Sequence, residues 1–384
     1  MDNYKFIIPP LLLFLIILFV PIFFIFRIIS PFILIRFHKI NPYRFGHFMP
    51  NVEIYLCEKK YFSKNFKGKI VIDLHFFEPS PRKSKIKISN YQAEKMIKRT
   101  IPILPTWLIY PMYLAYLNSW FDRKHIVKNL SSNKDPLGLL DKYNNHFSLT
   151  GEEKSKGKQI LKNFNLNDND KFVCLNIRDS SYLKKTFPRV DFSYHDYRDL
   201  NINIFELAVD LLLKKGFTVF RVGKTSNQSL KINHKNYIDI TNLEYDDFLD
   251  IYLGANCEFC ITSSSGFDAT SYVFRRKILY IQVPISHFFS SSKRHFISTR
   301  YHKCTKSGKI LRLREIFQKN VHNADTSMKF IQKNIELISP SKNEIKDIVL
   351  EALQYFSNDF QTKNNDSQLK FWKIYKSLIT RDKQ

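Results

Sequence analysis

From residue 171 to residue 283 the chain alternates strand text with helix text, and no other feature restricts its fold so tightly. "KFVCLNI" (171–177), "FTVFRV" (217–222), "NYIDI" (236–240), "EFCI" (258–261) and "KILYIQV" (277–283) read as strands. "NIFELAVDLLLKKG" (203–216), stopped by Gly216, and "YDDFLDIYLGA" (245–255) read as helices between them. Alternation of this kind predicts a parallel, doubly wound α/β sheet. Ligands of such sheets bind beyond the carboxyl ends of the strands, so the loops that follow the strands are the first places to look for chemistry.

Those loops are rich in groups suited to phosphate and ribose. The first strand ends in "NIRDSSYL", which places Arg178 and Asp179 at its carboxyl end. A guanidinium presents a fork of donors that matches phosphate oxygens; the plain alternative is an Arg178–Asp179 surface pair. "YHDYRDLNI" (194–202) then sets His195, Asp196, Tyr197, Arg198 and Asp199 in consecutive places. Histidine and arginine can both face a diphosphate; alternatively the run is a charged helix entry, with Asp199 and Asn201 capping the helix at 203. Arg221 and Gly223 close the next strand, and Gly223 allows close backbone approach. The strand "EFCI" runs into Thr262, Ser263, Ser264, Ser265 and Gly266. Hydroxyls there cap a helix start, or the start cradles an anion. Together these strand ends point to one nucleotide-diphosphate pocket. Neither G-x-x-x-x-G-K-[ST] nor G-x-G-x-x-G occurs, which argues against P-loop NTPases and ordinary dehydrogenases.

The formal charge of +25 favours anionic partners, namely lipid headgroups or phosphorylated substrates. The basic residues are spread along the chain and no DNA or RNA recognition module is visible, so nucleic acid is not expected as a partner. The five cysteines are odd in number and scattered, giving no disulfide framework and fitting a reducing compartment. Cys257 and Cys260 form a C-x-x-C without a second pair and read as small apolar side chains beside a strand. No metal cluster is apparent, so metal-independent chemistry without a cofactor is expected. From Phe6 to Phe26 the chain carries no charged residue, long enough to cross a bilayer. Basic residues follow it (Arg27, Arg36, Lys39, Arg44), against Lys5 alone before it, which places the body in the cytoplasm. "ISPFILIRF" (29–37) reads as an interfacial helix that continues this anchor.

Four segments follow: a membrane anchor over 1–37, an N-terminal Rossmann-like domain over 38–165, a C-terminal Rossmann-like domain over 166–343, and terminal helices over 344–384 that pack back across the domains. In the first domain "GKIVIDLHFF" (68–77) is a strand and "YQAEKMIKRT" (91–100) a helix, while 151–170 reads as an interdomain connection.

"RFGHFMPNVEIYL" (44–56), "KFVCLNIRDSSYL", "HDYRDLNI", "GFTVFRVG" and "FLDIYLGANCEFCITSSSG", in this order, resemble a family of bacterial glycosyltransferases met in surface-polysaccharide gene clusters. The resemblance runs over about residues 40–350. It implies a GT-B-like fold, two Rossmann-like domains facing a cleft, with the nucleotide-sugar in the C-terminal half and the acceptor facing the N-terminal half. It implies nucleotide-sugar contacts for Arg178, Asp179, His195, Tyr197, Arg198, Arg221, Gly223, Ser264, Ser265 and Gly266. It also implies acceptor-side roles for Arg44, Gly46 and Asn51. The chain departs from the family pattern at its small motif, where an extra serine stands, and at Asp196, where asparagine is usual.

Sugar transfer needs a base for the acceptor hydroxyl and donors for the leaving diphosphate. His47, in the glycine-containing loop "RFGHF", is the first choice of base and Glu53 the second. A loop-stiffening histidine and a glutamate paired with a lysine are the plain alternatives. The expected reaction moves sugar from a nucleotide-sugar donor to a glycan or lipid-linked acceptor at the bacterial inner membrane. A pyruvyl or other group transferase on the same fold, or a non-catalytic membrane-anchored assembly subunit, is the competing class.

Overall fold

The structure is a computed structural model and describes residues 10–66, 68–79, 86–128, 135–186, 189, 191–285, 292–357 and 365–382. The chain divides into two compact units, residues 1–148 and 149–384.

The first unit contains α1 (Pro10–Ile29), β1 (Ile33–Ile40), α2 (Phe45–Tyr61), β2 (Ile70–Phe77), α3 (Tyr91–Thr100), α4 (Thr106–Leu117) and the short α5 (Leu139–Lys142). Strands β1 and β2 pair in parallel along their whole length, and single parallel bridges extend the pair on both sides, at Phe37–Ile126 and His75–Ile103. The segment read as an interfacial helix is therefore a strand: Ile33–Ile40 is β1. Its hydrophobic residues close over α4, where Phe37 meets the rings of Tyr113 and Tyr116. Helix α1 is the one described helix long and apolar enough to cross a membrane. The apolar residues before Pro10, and Lys5, lie outside the described residues. The glycine-containing segment around His47 is likewise not a loop but the first turn of α2. Pro50 lies inside that helix and removes the N–H that would answer the Gly46 carbonyl.

The second unit is the doubly wound sheet that the alternation predicts. It runs α6 (Gly151–Asn163), β3 (Phe172–Asn176), α7 (Ser181–Thr186), α8 (Glu206–Lys214), β4 (Thr218–Arg221) and β5 (Tyr237–Asp239). Then come α9 (Asp247–Asn256), β6 (Phe259–Thr262), α10 (Asp268–Val273), β7 (Lys277–Val283), β8 (His295–Thr299) and β9 (Tyr301–Cys304). It closes with α11 (Leu313–Gln318), α12 (Ser327–Gln332), β10 (Ile335–Ile338), α13 (Lys342–Phe356) and α14 (Asn365–Asp382). The six parallel strands stand in the order β5-β4-β3-β6-β7-β8, so the sheet grows outward in both directions from β3 and β6.

Alternate strand residues serve opposite layers. Val173, Leu175, Val219, Phe259, Ile261, Leu279 and Ile281 pack with α8 and with Ile345, Val349 and Ala352 of α13. On the other face Phe220 meets the rings of Phe172 and of Phe164, which ends α6. Burial on both faces is why these strands read as continuous apolar runs. Cys174, Cys257 and Cys260 are free and buried, as small apolar side chains.

The stretch expected as a connection is α6, opened by a capping box between Thr150 and Glu153. A Cβ on Gly157 would stand 1.9 Å from Cε2 of Tyr252 in α9, so only glycine lets the helix lie that close. Gly157→Ala should destabilise the protein by about 1–3 kcal/mol, the usual range for overpacking. A thermal melt of the variant beside the parent checks this, and an unchanged Tm would mean that α6 is free to move off α9.

Candidate functional site

In a sheet of this order the crevice lies where the strand order reverses, here between the carboxyl ends of β3 and β6. The two strand ends are tied across it: the Arg178 N–H donates to Ser263 Oγ at 2.8 Å. The hydroxyl run after β6 closes a local turn and does not cap a helix, since α10 has Phe267 at its N-cap with no side-chain bond there. Thr262 Oγ1 accepts from the N–H groups of Ser264 and Ser265 at 3.1 and 3.3 Å. Helix α10 begins only at Asp268, past Gly266, and has six residues. The N–H groups of Ser264 and Ser265 are thus answered by a local hydroxyl rather than held outward for an anion. What the run offers is Ser264 itself, held at a positive φ of 63° that non-glycine residues seldom adopt. Its carbonyl accepts from Arg198 Nη2. Backbone held in a sparsely populated conformation is a recurrent feature of functional sites.

Arg178 and Arg198 are brought together here, close enough to repel one another. Arg178 Nε lies 3.0 Å from Asp199 Oδ1, but the alignment is poor. Buried Arg178 Nε and Nη2 and Asp199 Oδ1 complete no hydrogen bond among the described residues. Asp199 is therefore a partner of Arg178 rather than the expected helix cap; that cap is Asn201, whose side chain accepts from the Asn203 N–H. Burial pushes the Asp199 carboxyl up to about 6 against the pull of Arg178. Asp268, which accepts a long bond of 3.4 Å from Thr262 Oγ1, is pushed up to about 7 by burial in spite of Arg198 nearby. Two guanidiniums thus face two carboxylates that hold their charge weakly.

The turn that carries Arg198 and ends at Asp199, Ser193–Arg198, is fastened by Arg300, which sequence reasoning missed. Arg300 is buried, and its two terminal nitrogens donate to the carbonyls of Tyr197 and Asp199 at 2.6 Å each. Tyr197 stacks near Phe330 of α12, with its N–H on Ser327 Oγ, so its ring serves that packing. The His195 ring lies 4.0 Å from that of Tyr194.

Arg221 and Asp179 form a separate network. Arg221 is buried and donates to Asp239 Oδ2 at 2.8 Å and Ser226 Oγ at 2.7 Å. Ser226 Oγ in turn donates to Asp179, whose other oxygen accepts from the Ser181 N–H at the start of α7. Gly223 has a φ of 133°, open only to glycine, and Asn176 Nδ2 reaches the neighbouring Val222 carbonyl at 3.2 Å. A polar groove of about 830 Å³ opens beside Asp199, lined by Asn201, Glu206, Asn227, Gln228 and Lys231 among others.

In the first unit His47 and Asn51 stand four residues apart on α2, one turn from each other, with Arg44 exposed at the N-cap and Gly46 in the first turn. Glu53 is fully buried and accepts from the backbone N–H of His146 at 3.1 Å, with the His146 ring at 3.2 Å. A histidine is thus among its partners. With Cys57, the two place one ligand atom each within 4.8 Å, the set of described residues that could share an ion.

A buried network here was also missed by sequence reasoning. The parallel register sets Arg36 beside Asp73 and His38 beside His75. Asp73 holds Arg36 at 2.7 Å, Lys59 at 2.8 Å and the Tyr55 hydroxyl at 2.5 Å. The two histidines meet Nδ1 to Nδ1 at 2.7 Å, which requires one to donate and the other to accept. Burial lowers both, His75 to about 4.

No protein-family model matches the chain, and no curated protein does. Among solved structures it is similar to the E. coli ADP-heptose LPS heptosyltransferase II, with 12% identity and a TM-score of 0.36 over 69% of this chain and 90% of that one. It is also similar to a glycosyl transferase of family 9 from Veillonella parvula DSM 2008, with 10% identity and a TM-score of 0.44 over 82% of this chain and 97% of that one. At these values neither likeness extends to the role of any residue.

The two sets of shifted groups predict opposite pH slopes. An unfolded histidine titrates near 6.5, so the unfolded chain binds more protons than folded His75 between about 6.5 and 4, and stability falls with acidification through that window. An unfolded aspartate titrates near 3.9, so folded Asp268 binds the extra proton between about 4 and 7, and stability falls as pH rises through that window. Thermal melts from pH 4.5 to 8 should show Asp268→Asn gaining stability at pH 8 but not at pH 5. His75→Gln should flatten the acid limb. A variant profile parallel to the parent would refute the corresponding assignment.

Proposed function

We propose that this chain is a glycosyltransferase. It moves a sugar from a nucleotide-sugar donor to a glycan or lipid-linked acceptor in bacterial surface-polysaccharide synthesis, working at the cytoplasmic face of the inner membrane. The observation that carries the reading is Arg178: a half-buried guanidinium whose Nε and Nη2 are buried and unmet, next to a second guanidinium, at the reversal point of a doubly wound sheet. A diphosphate supplies the acceptor oxygens that misaligned Asp199 does not, and its charge relieves the repulsion between Arg178 and Arg198. The groove beside Asp199, with its amide side chains, suits a nucleoside.

In the reaction the bond from the sugar's anomeric carbon to the diphosphate oxygen breaks, and its electron pair leaves on that oxygen. Arg178 and Arg198 stabilise the charge that develops there. The acceptor oxygen bonds to the anomeric carbon and gives up its proton to a base, for which His47 is our assignment. Arg221 and Asp179 support the site through the β4 end rather than through phosphate.

Thermal stability measured with UDP, ADP, GDP, CMP and dTDP tests the pocket, since a ligand of the folded state adds about 2.7 kcal/mol at a hundredfold excess over Kd. One nucleoside diphosphate should raise Tm in the parent and not in Arg178→Ala. With a donor identified, Arg198→Ala should lower kcat by roughly 10²–10³, as loss of a preorganised donor does. His47→Ala should lower kcat while leaving nucleotide binding intact. No stabilisation by any nucleotide at millimolar concentration would favour a group transferase with a different donor.

A further inference from the structure

The apolar N-terminal helix does not stand clear of the body as a spanning helix must. Ile16, Phe23 and Phe26 of α1 are buried in the first unit. Phe23 meets Tyr116 and Phe121 edge-on at 5.0 and 5.8 Å, and Phe26 lies 6.2 Å from Phe37 of β1 and 6.0 Å from His125. Twenty helical residues reach about 30 Å, the whole thickness of the hydrocarbon. To span, α1 would therefore have to take its packed turns into lipid, and with them the partners of those turns. Those partners include polar backbone outside any helix: the Asp122 carbonyl, held by Tyr116 Oη at 2.6 Å, and the Ile35 carbonyl, held by His125 Nδ1 at 2.5 Å. Even before Ile16 the helix is not clear of this packing, since Leu12 and Leu15 lie against the same cluster.

The opposite face of α1 is apolar from end to end. It runs from Leu11, 71% exposed, through Phe14, Ile17 and Phe24 to Ile28, 72% exposed. Trp107 in the first turn of α4 and Trp120 just beyond its end are 78% and 71% exposed, although large aromatics of this kind are usually covered. Trp120 stacks on Phe121, which Phe24 also meets at 5.2 Å, so this tryptophan continues the face of α1. Charge gathers at the same end. Arg27 ends α1, Arg123 and Lys124 begin the turn after Trp120, and Arg27 and Arg123 both lie near the Tyr116 hydroxyl. Asp122 offsets part of this, 3.6 Å from Lys124.

We infer that α1, with Trp107 and Trp120, forms a one-sided docking surface for an anionic lipid bilayer: the protein lies on one leaflet and α1 does not cross. Apolar side chains enter the acyl boundary, tryptophans sit at headgroup level, and the basic end meets lipid phosphates. The inference deepens the membrane location of the function proposed above, but its test is independent of nucleotide or sugar.

The full chain with an N-terminal epitope tag is expressed in bacteria, and protease is applied to spheroplasts and to inverted membrane vesicles. One-sided docking predicts that tag and body are both protected in spheroplasts and both digested in inverted vesicles. A tag digested in spheroplasts while the body is protected would overturn it. Purified full chain should float with vesicles of phosphatidylethanolamine and phosphatidylglycerol but weakly with phosphatidylcholine, and brominated acyl chains should quench its tryptophan emission. Phe14→Ser and Ile17→Ser alter only the exposed face. Each should weaken flotation roughly tenfold, with the parent Tm retained. Self-association through this face with no vesicle binding, seen by light scattering, would also overturn the inference.

Discussion

A parallel sheet buried on both faces leaves its strand ends as the place where polar side chains collect, and the second unit depends on how those ends are tied. Between β3 and β6 Ser263 ties the ends twice, its N–H donating to the Asn176 carbonyl and its Oγ accepting from the Arg178 N–H. Arg300, just past the edge strand β8, reaches the turn between α7 and α8 and holds the carbonyls of Tyr197 and Asp199. These bonds spend backbone and structural groups on rigidity and leave the Arg178 side chain incompletely answered. A buried charged donor without aligned acceptors costs stability, and such a group is a reason to look for a ligand rather than for a packing role.

The two strand-end arginines differ in how fully their donors are met. Arg221 looks like Arg178 in sequence, each arginine at a strand end, yet Arg221 is satisfied by Asp239 and Ser226 and serves to join β4 to β5. Asp199 and Asp268 are held where burial weakens their negative charge, which lowers the penalty for bringing a diphosphate beside them.

Much of the second unit was legible because each strand is a short apolar run bounded by turn signals, and its helices are amphipathic at 203–216 and apolar at 245–255. The first unit was harder. β1 follows α1 after three residues, and "FILIRF" is equally apolar as strand or helix, so composition hid the change of structure. Gly46 and Pro50 disguised the start of α2 in the same way. Arg178 and Arg198 could be found from position alone. Arg300 could not, since its partners lie about a hundred residues away in sequence. The His38–His75 pair was hidden for the same reason, being joined only by a register that neither strand reveals by itself. The hydroxyl run was legible as a special stretch, but whether its N–H groups face outward is decided by one rotamer, that of Thr262.

The central claim is that Arg178 exchanges Asp199 for a diphosphate. A crystal structure of the protein with the nucleoside diphosphate it binds most tightly tests this most directly. The account predicts phosphate oxygens within hydrogen-bond distance of the Arg178 guanidinium, with Arg198 alongside and Asp199 displaced. Phosphates bound elsewhere, with the Arg178–Asp199 pair unchanged at 3.0 Å, would contradict it.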